Sequence, residues 1–376
     1  MPLDNDDPEK WRMREHTEIK HDILRKYFIS WLRVISSRNK RLHFFDGFAG
    51  RGYYEDGEEG SPLLIMNAAD ENSEHFDEIF CTFVELNNNN YQNLQTAIDE
   101  KNSEIETDKI TINTENDKFE NVTEDMIENL GDDDIIPSLF FIDPFGYNPM
   151  PFDIVSEIAN IQESGVEMFI TFMVRDIRRF IEHEGHEDSI TRILGTEEWK
   201  NVRGSNNIED DILQIYEQQL KETAGIEYVW PFEMRNPDRR ETVYYLVHAT
   251  NHFKGFKIMK EVMFNSGADD KFAYLGPEHY GYDDKQSTIF ELTDADDERI
   301  KQLAEYLFEQ FDGEEMSFYD VMKRTYTETN LIEKHYRKAI YQLEERHRAT
   351  IHNRPNNGGT KNGLDDGDIV EFNQEY

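Results

Sequence analysis

Three acids stand where short apolar runs stop: Asp46 after "RLHFF", Glu85 after "IFCTFV" and Asp143 after "SLFFI". Such runs read as buried strands, each carrying a carboxylate to its carboxyl end. Asp46 also opens a glycine-rich turn, Asp46-Gly47-Phe48-Ala49-Gly50-Arg51-Gly52, with the spacing D-x-F-x-G-x-G. Gly50 and Gly52 carry no Cβ, so a ligand can lie against the chain there. Glu85 is of the type that holds two ribose hydroxyls, and Asp143 runs directly into Pro144, Phe145 and Gly146. Together they suit a nucleoside-bearing ligand in the crevice at the carboxyl ends of parallel strands. The dinucleotide fingerprint G-x-G-x-x-G is absent.

The elements that must position these acids follow the same pattern. "HTEIKHDILRKYFISWLRVISS" spaces Ile19, Ile23, Leu24, Phe28, Trp31, Leu32 and Ile35 as a helix does. "YQNLQTAIDEKN" and "DIVSEIANI" predict helices, while "KITINTEN" and "EMFITFMV" predict strands. Further on, "DILQIYEQQLKETA" predicts a helix and "VYYLVHAT" a late strand. Strands alternating with helices predict an α/β, doubly wound Rossmann-like sheet. After about Thr293 come three amphipathic helices, in "ADDERIKQLAEYLFEQF", "FYDVMKRTY" and "IEKHYRKAIYQLEER", then a hairpin from "ATIHNRP" to "DIVEFN". This predicts a C-terminal winged-helix domain. The expected division is a disordered tail at 1–10, a main domain at 11–293 and the winged helix at 294–376.

Asp46, Glu85 and Asp143, each at the end of a different strand, resemble the arrangement in class I S-adenosylmethionine-dependent methyltransferases. D-x-F-x-G-x-G resembles their first motif, especially in amino-methyltransferases of nucleic acid. The resemblance implies S-adenosyl-L-methionine on Asp46, Gly47, Phe48, Gly50 and Gly52, with Glu85 on its ribose. "FFIDPFG" stands where those enzymes carry D-P-P-Y or N-P-P-F. That implies Asp143 as acceptor for a target amine, Pro144 shaping the turn and Phe145 as the stacking platform. The motif departs from the family pattern, since Phe145 replaces the second proline and Gly146 the aromatic. His16, Lys20 and His21 resemble the Lys-His helix that precedes the glycine loop in some adenine-N6 methyltransferases of ribosomal RNA, which places Lys20 with the cofactor residues. The whole set, "HTEIKH", "FDGFAGRGYYEDGEEGSPL", "IDPFG" and "YYLVHATNHFKGFKIMKEVM", resembles the three-Cys-motif partner proteins from about Trp11 to Met263. That resemblance implies a partner protein carrying three cysteines.

Charge limits the partners. The chain of 376 residues has 79 acidic side chains against 40 basic ones, a net charge of −39. Its 25 Phe and 18 Tyr are too many for a disordered acidic chain. The expectation is a halophilic, cytoplasmic protein whose self-repulsion salt screens. Against this background, basic clusters stand out: one between Lys10 and Arg41, one at Arg175, Arg178 and Arg179, and one on the third C-terminal helix and the wing. Arg175, Lys334, Arg337, Lys338 and Arg348 are therefore the expected nucleic-acid contacts. The single cysteine, Cys81, rules out an internal disulfide and a Cys-rich metal site, and no apolar run reaches membrane-spanning length. Two readings stand: a methyltransferase acting on nucleic acid at an exocyclic amine, or an adaptor, non-catalytic or differently catalytic, that keeps a nucleoside pocket and works with the three-cysteine partner. The altered D-P-F-G motif favours the adaptor and the intact first loop favours the enzyme.

Overall fold

The computed structural model describes residues 12–129, 136–144, 150–161, 165–183, 185–236, 241–268, 272–275, 289–352 and 363–374. The chain divides into two compact units, Met1–Tyr280 and Gly281–Tyr376. The sequence-expected boundary near Thr293 falls inside a helix, Ile289–Phe311. The tail at 1–10 lies outside the described residues.

The first unit starts with α1 (Glu15–Ile35), β1 (Arg41–Asp46), α2 (Ser61–Asp70), β2 (Glu78–Val84), α3 (Asn88–Asn102), β3 (Ile110–Glu115) and α4 (Phe119–Asn129). It continues through β4 (Ser138–Ile142), α5 (Phe152–Asn160), β5 (Val166–Phe172), α6 (Val174–Ile181), α7 (Glu187–Leu194) and α8 (Ile208–Glu222). It closes with β6 (Tyr228–Arg235), β7 (Thr242–Thr250), α9 (Phe253–Ser266) and β8 (Ala273–Tyr274).

These strands form one sheet in the order β3-β2-β1-β4-β5-β7-β6-β8. Strands β1 to β5 run parallel, and β7 enters antiparallel between β5 and β6. Strand order reverses between β1 and β4, so a crevice opens there at the carboxyl ends. Side chains alternate across the sheet, as a strand requires. Phe44, Phe83, Phe141 and Phe169 pack with α1, α2, α3 and α9, while Phe45, Phe140, Met168 and Phe172 join a second cluster with α5 to α8. Helix α1 buries Ile23, Leu24, Tyr27, Phe28, Trp31 and Leu32. One side of its N-terminal half presents Lys20 and His21, both also buried.

The second unit contains α10 (Ile289–Phe311), β9 (Glu315–Ser317), α11 (Phe318–Thr325), α12 (Glu333–Glu345), β10 (Ala349–His352) and β11 (Ile369–Phe372). Its sheet has the order β10-β11-β9 and is antiparallel throughout. The expected two-stranded wing thus gains a third, short strand. Ser317 caps α11 by accepting a hydrogen bond from Asp320 N at 3.0 Å. Three helices and a small sheet make this a winged helix.

Candidate active site

β1 delivers Asp46 into a fully buried position. Its carboxylate accepts from the backbone N–H of Phe48 at 3.0 Å and from the Ser61 hydroxyl at 2.6 Å. One side chain therefore ties the glycine turn to the first residue of α2. Burial pushes the Asp46 carboxyl up to about 7, against the opposing pull of these two hydrogen bonds. The turn is also pinned through its backbone: Gly47 N–H donates to Phe141 O at 3.0 Å, and Ala49 N–H to Val84 O at 2.9 Å.

The glycines divide by role. A Cβ on Gly47 would sit 2.3 Å from the Phe119 ring, and one on Gly52 would sit 2.6 Å from the Ala97 Cβ. Both are small because the protein packs against them. Gly50, at φ 68°, takes a left-handed conformation that other residues resist. Its backbone N–H bonds to Glu85, whose carboxylate also accepts from Asn87 N–H at 2.6 Å. Burial raises the Glu85 carboxyl, and these bonds partly offset the rise. Next in the chain is Leu86, 55% exposed and the single exposed large apolar side chain among the described residues.

The third acid is engaged differently. Asp143 forms an ion pair with Lys20 across 123 residues of sequence, with side-chain exposures of 16% and 8%. Lys20, expected among the cofactor residues, thus has its ammonium on the acid after β4. It also lies 5.6 Å from the Tyr244 ring centroid, and the Tyr244 hydroxyl donates to His16 O at 3.3 Å. The His21 ring stands 5.8 Å from that of Tyr54. Burial, then the Lys20 charge, lowers His16 to about 4 and His21 to about 3. Both rings are neutral at neutral pH, and His21 Nδ1 is buried without a hydrogen-bond partner. Burial, then the charge on Asp143, raises Tyr54 and Tyr244. Pro144 is buried, and Phe145 lies outside the described residues.

Sequence reasoning missed Ser61, Tyr54 and Tyr244. The Ser-Pro opening of "SPLLIMNAAD" was a usable signal for Ser61, since proline suits a first helical turn. Nothing local marks the two tyrosines.

Of the expected nucleic-acid contacts, Arg175 is exposed on α6 and close enough to His16 to lower its pKa. In the second unit Lys334 and Lys338 are exposed on α12. Arg337 is ion-paired with Glu333 one turn earlier, and Arg348 with Glu305, which also takes Arg346 at 2.8 Å. The local positive field is therefore smaller than a count of arginines suggests.

A mostly parallel sheet reversing between β1 and β4, with one antiparallel strand next to its last long strand, defines the class: a Rossmann-like α/β fold of the methyltransferase type, here followed by a winged helix. Residues 281–356 match the family model described as a GMT-like wHTH domain. A search of curated proteins returns no match. Solved structures with a similar fold include LPL1258 from Legionella pneumophila, at 11% identity over 64% of this chain and 88% of that one, TM-score 0.39. Another is a putative O-methyltransferase from Klebsiella pneumoniae, at 10% identity over 67% and 93%, TM-score 0.32. A third is Trm1 from Pyrococcus horikoshii in complex with S-adenosyl-L-methionine, at 9% identity over 70% and 62%, TM-score 0.32.

Proposed function

We propose that the first unit binds S-adenosyl-L-methionine and transfers its methyl group to an exocyclic amine of a nucleic acid. The observation that carries this reading is the meeting of Lys20 with Asp143 beside the Asp46 turn, at the point where strand order reverses. The residues suit the cofactor. Glu85 offers a carboxylate for ribose hydroxyls, Leu86 an exposed apolar surface for a purine face, and the Gly50 turn a backbone free of side-chain bulk. When bound, the cofactor supplies an electrophilic methyl group.

The chain's own part lies at Asp143. A carboxylate there accepts a hydrogen bond from the target NH2, which leaves the nitrogen lone pair free to attack. It then receives the proton that nitrogen loses. Lys20 holds that carboxylate in one orientation. His16 and His21, both neutral, add no positive charge beside Lys20 to repel a cationic cofactor. Arg175 offers a phosphate contact at the same mouth. The observation favouring the adaptor instead is that Arg337 and Arg348 are paired within the winged helix, with Glu333 and Glu305. On that reading the second unit docks a protein, and the resemblance to three-Cys-motif partner proteins names its kind.

The deciding experiment mixes the full chain with labelled S-adenosyl-L-methionine and a panel of DNA and RNA in high salt. Label transferred to nucleic acid supports the enzyme. Cofactor binding without transfer to any substrate supports the adaptor.

A further inference from the structure

The sheet face opposite α1 holds a cavity of about 490 Å³ that includes none of the residues of the Asp46 turn. Its size lies in the range of small-molecule sites. It lies along β1 to β4, with Val122 and Met126 of α4 among its lining residues. In the interior of an α/β protein this floor would ordinarily be aliphatic. Here His43, Thr82 and Ser138 contribute to it, with Phe45, Phe80 and Phe140 as aromatic walls.

Strand register explains the grouping, because His43 stands beside Ser138 and Phe45 beside Thr82. His43 Nε2 and Thr82 Oγ1 are 3.0 Å apart. Burial holds His43 at about 4, so it is a neutral hydrogen-bonding group with no charged partner. A core has no use for such a group, since an aliphatic side chain would fill the space without desolvating polar atoms.

The rim carries the charge. Glu115, Asp117 and Asp125 line the cavity, and Arg41 is its one basic lining residue among the described residues. Arg41 is already paired with Glu78 at 3.2 Å and lies over the Phe80 ring at 5.4 Å. Carboxylates thus dominate the rim above aromatic walls. That combination selects a cation with a flat apolar body.

We propose that this cavity is a second ligand site, for a protonated aromatic or heteroaromatic amine. It is independent of the cofactor reading, since it shares no residue with the Asp46 turn.

Tryptamine is a suitable probe, with neutral tryptophol and anionic indole-3-acetate as controls of the same body. Calorimetry on the full chain in high salt should show saturable tryptamine binding, with tryptophol weaker and indole-3-acetate weakest. Val122→Trp, which fills the cavity from α4, should abolish tryptamine binding. The exposed double change Glu115→Gln with Asp125→Asn should leave the fold intact and bring tryptamine down to the level of tryptophol. Failure of tryptamine to bind the wild-type chain, equal binding of all three probes, or binding unaffected by both variants would overturn the proposal.

Discussion

At the scale of single residues, the site is a set of buried charges that constrain one another. Asp143 and Lys20 are each other's partner, so removing either leaves a charge with nothing to balance it. On the proposed mechanism Asp143→Ala loses transfer by about 100-fold or more, the usual cost of removing one positioned transition-state contact. It keeps cofactor affinity, because Asp46, Glu85 and Gly50 are untouched. Rates and calorimetry on the same preparation check both halves.

The buried histidines make a separate prediction about acid. His21 is held at about 3, well below its unfolded value near 6.5. Its depressed pKa means the unfolded chain binds the extra proton more readily. The stability it contributes is complete above pH 6.5 and is lost as pH falls toward 3. Asp46, raised to about 7, has the opposite sign and loses its contribution as pH rises from about 4. Replacing His21 by Asn should therefore flatten the acid limb by about 1.4 kcal/mol per pH unit between pH 6 and 4. Denaturant melts across that range, wild type against variant, measure it. Identical slopes would mean that His21 is not held neutral by burial.

At the scale of elements, the turn after β1 is the part most open to disruption. Gly50 has a left-handed backbone, and its N–H reaches Glu85. Gly50→Val adds a β-branched side chain to a conformation that disfavours one. It should weaken S-adenosyl-L-methionine binding by at least about tenfold, as roughly 1.4 kcal/mol of strain would do. Unchanged affinity by calorimetry would remove this turn from the cofactor site.

The same scale shows what the sequence made legible. β1, β2 and β4 could be read because each is a short apolar run that stops at an acid. α1 could be read because its apolar residues keep helical spacing. α2 was missed because it is buried nearly all round, so it has no polar face to give a period. β6 was missed because Pro231 interrupts it. Among the described residues β8 pairs with β6 only at Glu233 and Met234, and Pro231 has its partner, Val247, on the β7 side. Asp46, Glu85 and the loop were legible as a motif. The Lys20–Asp143 pair was not, since no local pattern joins residues 123 positions apart.

At the scale of the whole molecule, charge is the dominant fact. A net charge of −39 acts against compaction, and salt weakens that repulsion as the screening length falls from about 10 Å at 0.1 M to about 3 Å at 1 M. The melting temperature should rise with KCl over that range. Relief of about 2 kcal/mol would raise it by roughly 2.5 °C for a chain of this length. A flat or falling melting temperature would contradict the expectation of salt adaptation. Added salt also weakens phosphate contacts, so affinity for nucleic acid should fall while the fold gains stability. Among the described residues no helix is long and apolar enough to cross a membrane.

The central claim is that the acids at the ends of β1, β2 and β4 make a methyl-transfer site. Its most direct test is transfer of label from S-adenosyl-L-methionine to nucleic acid by the full chain in 1–3 M KCl, beside Asp143→Ala and Gly50→Val. The expected result is labelled product from the wild type, about 100-fold less or lower from Asp143→Ala with cofactor affinity kept, and cofactor binding weakened at least about tenfold in Gly50→Val. Transfer by Asp143→Ala at the wild-type rate, or cofactor bound with no label transferred to any nucleic acid, would contradict it.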